Sequence, residues 1–149
     1  MSDLALKRLS DGCFDLDFDG LDLLLTNTLE NAVIISIGSY AREVTGETAN
    51  TEPDIGGWWG DAVEDNLIKL GGYLHKAFHK KLTNATCRDI EGFVNDALKW
   101  MVNDGIAKET SCSASISGSK MISMTVIITK PSGSPETFTY EFNWEATLA

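Results

Sequence analysis

From residue 138 to residue 144 every second side chain is aromatic: Phe138, Tyr140, Phe142 and Trp144 alternate with Thr139, Glu141 and Asn143. A period of two places all four rings on one face of an extended strand, whereas a helix would scatter them around its circumference. Immediately before this run, Pro131-Ser132-Gly133-Ser134-Pro135 combines the residues that turn a chain. Before the turn, Met121, Ile122, Met124, Val126 and Ile128 are dense enough to face a core. The end of the chain therefore reads as an antiparallel meander with strands over 106–117, 120–130 and 136–144.

Upstream, residues 4–25 read as short strands. Asp11-Gly12 and Asp19-Gly20 are hairpin signals, because glycine takes positive φ without a Cβ clash. Between them Phe14, Leu16 and Phe18 alternate with Asp15, Asp17 and Asp19, one apolar and one acidic face of a half-buried strand. A first helix is expected from Asn27, with Glu30 at the capping-box position and a stripe of Leu29, Val33, Ile37 and Ala41; Gly46 would end it. Residues 45–60 form a polar, glycine-rich loop. A second helix is expected over 61–81, acidic early and basic late as the helix dipole prefers, with Gly71-Gly72 marking a kink or a close helix contact. A third is expected from a Thr86 cap with Asp89 three residues on, burying Ile90, Val94, Ala97, Leu98 and Met101 and stopping at Gly105. The fold class is α+β: an N-terminal β-hairpin region, three helices, then a C-terminal antiparallel β-meander, in one domain spanning 1–149.

Charge narrows the partners. Twenty-two acidic residues against twelve basic give a formal net charge of −10, a field that repels phosphate backbones and anionic lipid. Nucleic acid and membrane are therefore not expected partners. Cys13, Cys87 and Cys112 are odd in number and irregular in spacing, which suits reduced, mostly buried thiols better than a disulfide framework or a zinc site. The start, Met1-Ser2-Asp3-Leu4, lacks the basic and apolar regions of a secretory signal, so a soluble product of a cytoplasm is expected.

Several patterns invite chemistry. Asp15-x-Asp17-x-Asp19-Gly20 opens like a calcium loop, but Leu23 and Thr26 occupy the ninth and twelfth positions, where oxygen ligands are needed. His75 and His79 are one helical turn apart, yet Lys76 stands where a zincin needs glutamate; an exposed helix surface is the simpler reading. There is no nucleophile elbow and no phosphate-binding loop, so no catalytic residue, metal or cofactor is assigned. The unusual feature is Gly57-Trp58-Trp59-Gly60-Asp61. Adjacent Trp side chains point in different directions. The loop can fold back to plug its own core, or it can anchor in another subunit, where Trp is a frequent hot spot. Both readings stand from the residues alone.

The same residues carry a resemblance. Asp3-Leu4-Ala5-Leu6, Phe14-Asp15-Leu16, the run from Asn31 through Ser36, Gly57-Trp58-Trp59-Gly60-Asp61, the run from Ala97 through Val102 with Asp104-Gly105, and Lys130-Pro131-Ser132-Gly133 follow the order and spacing of the Mu-like phage baseplate protein family. The chain resembles that family over nearly its whole length. More distantly it is similar to the lysozyme-like sheath-initiator or baseplate-wedge proteins of T-even-type tails, whose order is a helix, a Gly-Glu and Pro-acidic-aromatic-Gly loop, and two further helices. Gly46-Glu47 and Pro53-Asp54-Ile55-Gly56 follow that order. The wider family's Glu-Pro-Arg motif is absent, with Asn103-Asp104-Gly105 in its place.

The resemblance implies a non-enzymatic structural subunit of a contractile tail, made in the host bacterial cytoplasm and built into the virion baseplate with sixfold symmetry. Its implied partners are the other baseplate wedge proteins, the tail sheath protein and the tube or hub proteins, and its implied fold is that of the sheath initiators. On this reading it links the wedges to the first sheath ring and templates sheath assembly. The interface would comprise Trp58, Trp59 and Asp61 together with the strand carrying Thr137, Phe138, Thr139, Tyr140, Phe142 and Trp144, which would accept a sheath strand by β-augmentation. The alternative is a tail-associated, lysozyme-like peptidoglycan hydrolase using a pair of carboxylates.

Overall fold

The computed structural model describes residues 2–9, 13–41, 57–58 and 70–144. Two compact units divide the chain, Met1–Ile34 and Ile35–Ala149.

The first unit is built from six very short strands: β1 (Asp3–Leu4), β2 (Leu6–Arg8), β3 (Phe14–Leu16), β4 (Phe18–Asp19), β5 (Asp22–Leu23) and β6 (Leu25–Thr26). They pair as three separate antiparallel ladders, β1 with β6, β2 with β3 and β4 with β5. The ladders meet at a ring of three main-chain bonds. Ala5 donates to the Leu24 carbonyl (2.8 Å), Leu24 to that of Asp17 (2.9 Å), and Asp17 to that of Ala5 (2.9 Å). One residue of each link thus satisfies its backbone at the centre while the ladders radiate from it. Gly20, at φ +68°, leads the two-residue turn between β4 and β5, the place where a II′ hairpin requires it. Helix α1 (Glu30–Gly38) begins in this unit, and Asn31 Nδ2 donates to the Leu4 carbonyl (2.8 Å). The helix starts three residues after the expected Asn27.

The second unit has a sheet of β7 (Glu109–Ile116), β8 (Met121–Thr129) and β9 (Pro135–Asn143) in the order β7-β8-β9, both pairs antiparallel. Ile122, Met124, Val126 and Ile128 are buried on its inner face. Helix α2 (Asn84–Asn103) packs along β7 and buries Ile90, Val94, Ala97, Leu98 and Met101, the stripe expected of it. Its cap is Thr83, not Thr86: the Thr83 hydroxyl accepts from Thr86 N–H, and Thr86 itself is buried. At the other end Gly105 N–H bonds to the Val102 carbonyl and Ile106 N–H to that of Met101, a Schellman stop that needs Gly105 at φ +70°. Asn103-Asp104-Gly105 therefore acts locally, as a helix terminator.

The expected fold class needs correction. Among the described residues there are two α-helices and nine strands in small sheets, so the described part is mostly β, and the helix–loop–two-helix order of the sheath initiators is not reproduced there. The helix expected over 61–81 fails where it can be followed. Residues 70–81 form bends, turns and one 3-10 turn, Leu74–Lys76; residues 61–69 lie outside the described part. Gly71 is the physical reason. It sits at φ +93°, and a Cβ there would lie 2.5 Å from the Ser39 carbonyl oxygen. Gly72 donates to Ser39 O (2.9 Å) and accepts from Ala41 N–H (3.0 Å), and its own Cβ would lie 2.8 Å from that of Ala97. The two glycines let the chain cross the segment after α1 at backbone contact, which a helix could not do. Beyond them Leu74 and Ala77 are buried, and Phe78 packs against Phe142 and edge-on to Trp144 (ring centroids 6.0 and 5.7 Å). No helix among the described residues is long and apolar enough to cross a membrane.

Candidate functional site

The residues that suggested chemistry occupy unremarkable surroundings. Asp15 faces Lys7 and Asp19 faces Asp22 across their ladders. His75 is half-buried with its ring 4.2 Å from that of Tyr40, not on an exposed helix surface, while His79 is exposed. Among the described residues no group of three His, Cys, Asp or Glu could hold a metal ion.

None of the three cysteines is in a disulfide; Cys13 is exposed, Cys87 buried and Cys112 half-buried. Burial, and secondarily the charge of Glu91, raises the Cys87 thiol from its ordinary range and pushes Cys112 up to about 12. Neither is an activated nucleophile. Cys13 should react first with an aromatic disulfide reagent at pH 8, and Cys112 roughly 100-fold or more slowly. From pH 9 towards 12 the folded state keeps the Cys112 proton and the unfolded chain releases it, so stability falls as pH rises, by up to about 1.4 kcal/mol per pH unit. Urea midpoints at pH 8.5 and 10.5 should show a smaller drop for Cys112→Ala than for the parent protein.

The two edges of the sheet differ. Along β7, Ala114 N–H points away from β8 and is taken by the Glu91 carboxylate of α2 at 2.8 Å. A helix side chain thus takes one outward amide of this edge. On the other side β9 is the outermost described strand. The bonds flanking the β8–β9 ladder, Lys130 N–H to Ser134 O and Trp144 N–H to Lys120 O, set its phase. In an antiparallel pair the bonded positions alternate, so Glu136, Phe138, Tyr140 and Phe142 bond to β8. Thr137 and Thr139 then turn their N–H and C=O groups outward. Pro135, which has no N–H, opens the strand at the outward phase, where proline is tolerated.

The side chains of β9 divide accordingly. Thr137 and Thr139 are exposed on the outer face, which is rich in hydroxyls: Ser111, Ser113, Ser115, Ser123 and Thr125 share it. The Thr125 and Thr139 hydroxyls are 3.5 Å apart. Tyr140 and Trp144 are core residues. Trp144 is 3% exposed and its Nε1 donates to the Lys80 carbonyl (3.0 Å); Phe138 and Phe142 are half-buried. Of the tandem tryptophans, Trp58 is 46% exposed; Trp59 and Asp61 lie outside the described residues. Glu91 was not legible in the sequence, because one glutamate on a helix gives no sign that it faces a strand edge.

A strand edge with outward-turned main-chain groups is a feature that can pair with a further strand. The particular family follows from comparison with known proteins. A family model described as phage protein GP46 matches residues 29–135, more than two thirds of the chain. The Mu-like prophage FluMu protein gp46 of Haemophilus influenzae is 34% identical over 97% of this chain and 98% of its own length. The baseplate protein gp46 of Escherichia phage Mu is 30% identical over 96% and 99%. The chain belongs to this family of Mu-like gp46 proteins, as its motifs indicated.

Proposed function

We propose that this chain is a structural subunit of the baseplate of a contractile phage-type tail. It joins the baseplate wedges to the first sheath ring, with the sixfold symmetry of the tail, and offers β9 to a strand of the sheath protein. The full-length similarity to a protein named as a baseplate component supports the location. The observation that carries the mechanism is the asymmetry of the sheet: Glu91 takes the outward Ala114 amide of β7, while Thr137 and Thr139 present outward backbone on β9. The exposure of Trp58 supports reading the 57–61 motif, including Trp59 and Asp61, as a second contact with neighbouring subunits. We read residues 1–149 as one functional subunit, assembled in the host cytoplasm and retained in the virion.

A cryo-EM map of purified tails tests this directly. The chain should lie between wedge and sheath, with a sheath strand hydrogen-bonded along β9; absence from mature particles would sink the reading. The hydrolase alternative predicts dye release from labelled peptidoglycan by the purified protein. No release is expected. Release that disappears in Asp19→Asn or Asp22→Asn, the carboxylates facing each other across β4 and β5, would establish an enzyme instead.

A further inference from the structure

Positive charge gathers at one end of the second unit. Residues 70–88 contain Lys76, Lys80, Lys81 and Arg88 and no carboxylate, in a chain of formal net charge −10. The core brings a fifth cation to them. Trp144 donates through its main chain to the Lys120 carbonyl (2.8 Å) and through Nε1 to that of Lys80 (3.0 Å), so the turn before β8 and the turn before α2 lie against one ring. The Thr86 hydroxyl, bonded to the Lys81 carbonyl (2.5 Å), ties the latter turn to the start of α2. All five cations are exposed. Asp89 takes Lys80 at 2.6 Å, whereas Lys81 and Arg88 have no ion pair among the described residues. Helix stability does not call for this arrangement: a first turn prefers acids, and α2 has none there.

The first unit is crowded with the opposite sign. Asp3, Asp15, Asp19 and Asp22 are exposed, and in each ladder they lie on the face away from the apolar pair, Leu4–Leu25, Leu6–Leu16 or Phe18–Leu23. Lys7, opposite Asp15, is the one cation on that face among the described residues. Asp19 and Asp22 stand directly opposite each other, a like-charge pair that weakens a ladder, and neither has an ion pair among the described residues. One chain thus carries two exposed surfaces of opposite sign, each with charges left without a counterion partner. Two different, complementary surfaces on every copy are what a heterologous contact needs, and such contacts close into rings.

We propose that the basic end of the second unit, centred on Lys81 and Arg88, docks the Asp15, Asp19 and Asp22 face of a second copy of this chain, head to tail. The ring rests on the reading of the chain as a sixfold tail subunit, and the contact is a surface separate from β9. Charge complementarity sets its register, so successive copies are held at one spacing while β9 is left to another partner.

The test is carbodiimide coupling of assembled tails, which joins a carboxylate to an amine already in contact with it, followed by gel separation and mass spectrometry of the dimer band. The Lys80–Asp89 pair within one chain is the positive control. The expected product is a ladder of covalent multimers of this chain, joined from Asp15, Asp19 or Asp22 of one copy to Lys80 or Lys81 of the next. Arg88→Glu removes no reactive amine and suits the start of a helix, so it should leave the fold intact and lower the multimer yield roughly fivefold or more, while Arg88→Lys should keep it. Links from Lys81 to a different tail protein, links confined to one chain, or no link at these lysines when the control pair couples overturn the proposal. So does an unchanged yield in Arg88→Glu. If the chain is absent from the particles, the assignment to the tail falls, and the ring falls with it.

Discussion

Thr139→Pro should give tails that lack ordered sheath while leaving the protein itself folded. Residue 139 lies at the outward phase of β9, so its N–H takes no part in the ladder to β8. Proline there removes one outward donor from β9 and places a ring where the proposed sheath strand would approach, and edge positions tolerate it. The stability cost should stay within about 1–2 kcal/mol, read from the urea midpoint. Tyr140→Pro, one residue on, breaks a bond within the sheet and deletes a buried ring, and should cost about 3 kcal/mol or more. Thr139→Ala keeps the donor and should assemble normally. Electron microscopy of the three variants separates edge from core: ordered sheath on Thr139→Pro tails would remove β9 as the template. Truncating the chain before β9 is a poorer test, because Tyr140 and Trp144 belong to the core and their loss unfolds what is being tested.

The second large effect is expected at Gly71. Gly71→Ala combines a left-handed φ of +93° with a Cβ 2.5 Å from a backbone oxygen, which cannot move aside as a side chain could. A loss of about 3 kcal/mol or more is expected, a large part of the total stability of a chain this size. Gly72→Ala should also destabilise, through the 2.8 Å approach to Ala97. Gly92 is the control. It lies in the exposed part of α2 with nothing within 4 Å of its Cβ position, so Gly92→Ala should stabilise the protein by up to about 1 kcal/mol. The same substitution, with opposite signs in thermal melts, would fix the crossing of 70–72 over 39–41 as the reason residues 70–81 are not helical. Equal effects at the two sites would discard that explanation.

What was legible in the sequence was what depends on neighbours along the chain. The meander showed because a period of two and a proline-bounded turn are local signals, and the observed strands lie within a few residues of those expected. The buried stripe of α2 and its Gly105 stop were visible for the same reason. The Thr83 cap was missed in favour of Thr86, since two threonines three residues apart offer the same chemistry and only packing chooses between them. The helix over 61–81 was overcalled because its charge order suited a helix dipole, while the demand made on Gly71 by Ser39, 32 positions earlier, leaves no local trace.

The alternating residues by themselves determined that this chain makes amphipathic strands at both ends and an amphipathic helix before the sheet, because side-chain direction along an element is set by backbone geometry alone. Which faces and edges are covered was decided only by the tertiary structure. Glu91 reaches a β7 amide across 23 positions, Trp144 reaches the Lys80 carbonyl across 64, and the apolar face of residues 4–25, patterned as if for burial, is left largely exposed. Burial depends on which elements come together in space, and no period within a strand records that.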